Sequence, residues 1–359
     1  MTRVISIVLV CIGVGVILAA GRQNTSLATN RMTQRLITAE QLENASPLTA
    51  FITVALGGFR GIIADMLWLR ATHMQDAGKY FELVQLADWI TKLEPYAGEI
   101  WAFHAWNMAY NVSVIMPNPE DRWRWVQHGI RLLRNEGLKY NPADAMLYRE
   151  LGFIFQHKIA GTTDSAHMYY RYRWAEEMNG IIGAQPDYNA ISADPNKLRI
   201  LRNEHRLSLE TIKEVDRLYG PLDWRLPETY AIYWAHIGSK TAEGSYLISC
   251  DRIILQTLSL TLSQGLLDFE GAAYRTRPNL AVFANAVATY ERMLAKHTDK
   301  GMMASYNGFL MDAIRLFHKA ENDNAARNAF EIHIRRFGKD TAYRTFEELI
   351  AAIDSKQGQ

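Results

Sequence analysis

Three glutamates and two histidines are the residues whose type and setting invite chemistry. Glu99 lies four residues after Pro95, Glu150 eight after Pro142, and Glu228 directly follows Pro227. Two carboxylates facing one cleft can share acid, base or nucleophile roles across a glycosidic bond. Nine Trp and seventeen Tyr would supply stacking surfaces for sugars. On that reading the chain is an all-helical toroid enzyme acting on polysaccharide or peptidoglycan. Against it, Glu99 and Glu150 stand in different segments, and no spacing brings them to one cleft. His104 and His157 read as packed or surface histidines. The sequence contains no H-E-x-x-H, no phosphate-binding P-loop, no G-x-G-x-x-G after a strand and no G-x-S-x-G elbow. Cys11 and Cys250 are the only cysteines, with no C-x-x-C, so they cannot by themselves build a zinc or iron–sulfur site or a redox pair. The sequence therefore predicts no catalytic residue, no metal and no cofactor.

The elements that would carry these residues are helices. Leu83, Ala87 and Ile90 recur at helical spacing, as do Val126, Ile130, Leu133 and Gly137. Between and after these stripes a pattern appears twice. Pro95 is followed by Trp101 at six residues, His104 and Ala105 at nine and ten, and Met108 at thirteen; Pro142 is followed in the same phase by Tyr148, Leu151, Gly152 and Phe155. The pattern resembles the tetratricopeptide (TPR) repeat, a helix-turn-helix unit of about 34 residues. In such a unit a ring fills the gap between paired helices, a small residue such as Ala105 or Gly152 lets the second helix approach, and a proline ends the unit. The two prolines are 47 residues apart, so about 13 residues beyond the repeat length must be looped out. Tyr110 to Arg122, holding Pro117, Asn118 and Pro119, is the expected loop. The predicted fold is therefore all-α, a degenerate TPR-like solenoid.

The rest of the chain divides around this core. Val4 to Gly21 is 18 residues without a charge, the length of a short membrane span or of a signal-peptide core. It reads as an uncleaved signal anchor or a cleaved signal peptide, with residues 22–46 as linker. Arg22, Arg31 and Arg35 beyond it favour a cytoplasmic body by the positive-inside rule, whereas the very short leader before the apolar run favours export; the expectation is the exported, periplasmic or extracellular side. Residues 47–77 are apolar docking helices, in which Arg60 and Asp65 make a second span costly. Residues 78–179 hold the repeats and 180–196 a loop. Residues 197–359 form degenerate helical repeats ending in capping helices, with Lys197 to Tyr219 as one charged helix and no strand expected.

A net charge of +1 gives no electrostatic reason to expect nucleic acid. The TPR resemblance implies instead a concave groove lined by the first helix of each unit. Carried over by phase, its lining includes Glu99, Phe103, Trp106 and Tyr110 in the first unit, and Arg149, Glu150, Phe153, Gln156 and His157 in the second. Rings beside a few charges at helical spacing suit an extended peptide or a partner helix. The implied function is a non-catalytic, membrane-anchored scaffold or accessory subunit, whose partners are other proteins of a cell-envelope complex.

Overall fold

The computed structural model describes residues 59–270, 273–297, 299–338 and 343–357. The anchor, the linker and the start of the docking helices lie outside them. The described chain is all-α, 79% helical. Thirteen of its helices are labelled here: α1 Phe59–Asp76, α2 Tyr80–Leu93, α3 Gly98–Trp106, α4 Pro119–Arg131, α5 Ala145–Phe153, α6 His167–Ile181, α7 Leu209–Tyr219, α8 Pro227–Thr241, α9 Gly244–Gln264, α10 Phe283–Lys296, α11 Lys300–Lys319, α12 Asp323–Phe337 and α13 Phe346–Gln357. Residues up to His104, with Lys139–Pro142, form one compact unit; Ala105–Leu138 and Ala143 onwards form a second.

In the first unit Gly78, at φ +70°, turns α1 into α2 in a conformation that glycine adopts without a Cβ clash. The stripe Leu83, Ala87 and Ile90 of α2 is buried, and Ile63, Leu67 and Trp68 of α1 pack on that side. The opposite side of α1 leaves Phe59, Ile62, Met66 and Leu69 exposed at helical spacing. Trp101 lies parallel to Tyr140 at 5.9 Å, and its indole N–H donates to the carbonyl of Pro95 at 2.8 Å. His104 is buried with neither ring nitrogen partnered.

That burial lowers the His104 pKa to about 4, with Asp88 pulling weakly the other way. The unfolded chain, with a histidine pKa near 6.5, then takes up a proton that the folded chain refuses. Stability is fully present above about pH 6.5 and is lost as pH falls towards 4, by about 3 kcal/mol in all. Denaturant unfolding of the wild type and His104→Leu at pH 7 and pH 4.5 should show a smaller acid loss in the variant; equal losses would contradict it.

In the second unit α3 continues as a π-helical stretch, Asn107–Val112, and a last turn, Ser113–Ile115. The expected 13-residue loop is thereby reduced to Met116–Asn118. Asn118 caps α4 by accepting the Asp121 N–H at 2.8 Å, and Pro119 takes the first helical position. Similar π-helical stretches, Leu132–Gly137 and Ile154–Ile159, follow α4 and α5. Val126, Ile130, Leu133 and Gly137 are buried, in agreement with their spacing.

Close helix contacts occur where small residues stand. Gly129 of α4 approaches α3 so tightly that a Cβ would lie 2.7 Å from the Ala105 carbonyl. Gly129→Ala should therefore cost about 1–3 kcal/mol by overpacking, read as a shift in the unfolding midpoint. Gly152 meets Ala231 and Ala235 of α8, at 3.1–3.4 Å from an added Cβ. The sequence reading expected it to admit the next helix of its own unit; its neighbour is instead a helix about eighty residues further on. Phe155 packs edge-on to Trp174 of α6, and Tyr230 of α8 contacts both rings.

Two further local differences have clear causes. The charged segment Lys197 to Tyr219 is broken: Arg206 adopts φ 55°, and Ser208 starts α7 by accepting the Thr211 N–H. Leu266–Glu270 (β1) pairs antiparallel with Ala273–Arg277 (β2), although no strand was expected. Buried Asp223 anchors β1 by accepting the Leu267 N–H at 2.9 Å, while Leu267 packs in a cluster with Ala175 and Leu226. A pairing made by contacts more than forty residues away leaves little local signal.

Candidate partner-binding surface

Six of the nine groove residues come together in the second unit. Trp106 stacks on Tyr110 at 5.4 Å, and Tyr110 contacts Phe153 and His157 at 6.4 and 5.8 Å. Phe153 and His157 stack nearly parallel at 5.0 Å. The Arg149 guanidinium covers Phe153 at 5.3 Å and is ion-paired with Glu150. Trp106 and His157 are exposed, while Tyr110, Arg149, Glu150 and Phe153 are half-buried. The strip is therefore part wall and part surface.

The pairing follows from helix geometry. Trp106 and Tyr110 are four residues apart, as are Phe153 and His157, so each pair lies on one helix face. In both pairs the second ring sits in a π-helical stretch. Such stretches re-aim side chains relative to an unbroken α-helix, a displacement that spacing alone does not reveal.

The other three residues stand elsewhere. Glu99 is exposed in the first unit, and Phe103 packs on Trp68 there at 4.6 Å. Gln156 turns to α9, where its amide donates to the Ile253 carbonyl and to Thr257 Oγ1 at 3.3 and 3.1 Å. One residue along a helix rotates a side chain by about 100°, which takes Gln156 off the face that carries Phe153 and His157.

Beneath the strip lies a charged network that sequence reasoning did not assemble. The buried Lys158 ammonium sits 5.3 Å from the Tyr110 ring and pairs with buried Asp164 at 2.5 Å. Asp164 also accepts from Tyr170 Oη at 3.0 Å, from the Ala166 N–H at 2.9 Å and from Arg122 at 3.3 Å. Burial would raise the Asp164 pKa, but these donors together hold it below the ordinary aspartate value. Its charge partners, Lys158 and Arg122, lie on two other segments, so local spacing does not reveal the network. Tyr110 stays neutral, its pKa raised first by burial and then by Glu150, and its buried hydroxyl has no partner.

Glu228, the third glutamate of possible acid–base interest, is buried and ion-paired with Arg171 at 2.6 Å. Among the described residues no group of three or more His, Cys, Asp or Glu side chains is arranged to hold a metal. Among them, too, no helix is long and apolar enough to cross a membrane. A scan of protein-family models, a search of curated proteins and a search of solved structures each find no match.

Proposed function

We propose that this chain is a non-catalytic scaffold or accessory subunit that binds a partner protein on the Trp106–Tyr110–Phe153–His157 strip, within a membrane-anchored, TPR-like helical array. The observation that carries the reading is the strip itself. Four rings from two helical runs touch one another, two of them reach solvent, and a cation is stacked on the third. Rigid amphipathic rings beside arginine are the side chains that concentrate binding energy at protein interfaces. A partner helix or extended segment would cover Trp106 and His157 and find Arg149 and Glu150 at its edge.

The array reading rests on Trp101, on the close approach of Gly129 to Ala105 and on the buried stripes of α2 and α4. The membrane reading rests on the uncharged segment Val4 to Gly21 and on the exposed apolar stripe of α1. An array held at the bilayer raises the local concentration of a membrane partner without any new contact. The body is proposed to lie on the exported side.

The test is co-purification of tagged full-length protein from its native membrane in detergent, beside a Trp106→Ala, Arg149→Glu, Phe153→Ala variant. Loss of a defined partner from the variant, with its helical content unchanged, is the expected result. Retention of every partner by a folded variant would remove the strip from the account.

A further inference from the structure

A cavity of about 260 Å³ opens in the second unit on the side of α4 and α6 where the chain breaks at His205. It is lined by Arg131, Arg134, Trp174, Glu177, Glu204 and His205, among others. Arg134, Trp174 and His205 are all more than nine-tenths buried. Arg134 Nε donates to Asn135 Oδ1 at 3.1 Å, and Nη1 donates to His205 Nδ1 at 3.4 Å. A guanidinium can only donate. His205 Nδ1 is therefore the bare nitrogen, and Nε2 carries the hydrogen that faces Glu177 Oε1 at 3.3 Å.

This arrangement leaves donors without acceptors. Among the described residues neither Arg131 nor Arg134 has a carboxylate within ion-pairing distance, although Arg134 is almost wholly buried. The buried Trp174 Nε1–H has no acceptor at all. A buried guanidinium without an ion-paired carboxylate is costly, and burial, helped by Arg131 and Arg206, lowers the Arg134 pKa to about 10 despite the opposing pull of Glu177 and Glu204. A guanidinium fork lining a cavity asks for an acceptor with two oxygens and one negative charge.

We propose that this cavity is a binding site for a small monocarboxylate, held by Arg134 with Arg131 at the rim and the Trp174 ring as a wall. Glu177 and Glu204 line the same space and repel a polyanion, while leaving room for an ammonium group on the same ligand. The cavity has room for several waters, enough for a small organic acid. The proposal is independent of the aromatic strip.

Isothermal titration calorimetry on the full-length protein in detergent tests it, with acetate, butyrate, benzoate, glycine and leucine as probes and inorganic phosphate as the polyanion control. The expected result is that at least one carboxylate binds and phosphate binds more weakly. Arg131→Gln should weaken that carboxylate about ten-fold or more, the effect of losing a hydrogen bond to a charged group. Arg134→Gln should abolish binding; if it does not fold, Arg131→Gln decides. Failure of all five carboxylates to bind, tighter binding of phosphate, or unchanged affinity in Arg131→Gln would overturn the proposal.

Discussion

Asp164→Ala is expected to lower the stability of the second unit by about 3–5 kcal/mol, the usual cost of removing one partner from a buried ion pair. The magnitude follows from what the change strands. Lys158 is 3% exposed and has Asp164 at 2.5 Å, so without it an ammonium is left in a site lined by the rings of Tyr110 and Tyr170. Arg122, partly exposed, can turn to solvent and contributes less. The loss should appear as a lower denaturant midpoint at unchanged slope. Lys158→Met combined with Asp164→Ala should recover much of it, because an apolar pair of similar volume leaves no orphaned charge. Lys158 also lies under Tyr110, so the single variant should weaken partner capture although Asp164 itself is off the surface. A loss below about 1 kcal/mol would mean that the network is not a buried pair in solution.

Arg171→Met should cost a similar amount, about 3–5 kcal/mol, but with a different consequence for binding. Arg171 joins α6 to α8 through Glu228 at 2.6 Å, reaches the Ala160 carbonyl and donates to Tyr274 Oη on β2 at 3.4 Å. Its removal strands Glu228, one of whose oxygens already lacks a partner. Arg171→Met with Glu228→Leu should be markedly more stable than Arg171→Met alone. Because none of these contacts touches the ring strip, variants that remain folded should keep their partner. The two ion pairs thus separate stability from binding: damage at Asp164 should reach both, and damage at Arg171 only the first.

What could be read beforehand was whatever depends on neighbours in sequence. The buried faces of α2 and α4 and the ring pairs Trp106–Tyr110 and Phe153–His157 follow from spacings of three, four or seven residues, whereas Asn118–Pro119, expected inside a loop, starts a helix. The lost information is of three kinds. Small changes of helical pitch are not written in residue types, so the π-helical stretches and the turning away of Gln156 went unread. Long-range pairing is equally silent locally. Nothing near Gly152 points to Ala231 and Ala235, nothing near Leu267 points to Asp223, and nothing near Arg171 points to Glu228. Phe103 illustrates a third limit: an apolar residue at groove phase is chemically equal to a core residue, and here it packs on Trp68.

The central claim, that the strip is where a partner sits, is tested most directly by a photo-crosslinking amino acid placed in vivo at Trp106 and at His157, with exposed Glu331 on α12 as the control position. The account predicts that both strip positions yield the same discrete crosslinked protein and that the control does not. Absence of any crosslink from both strip positions, or the same product from all three, would contradict it.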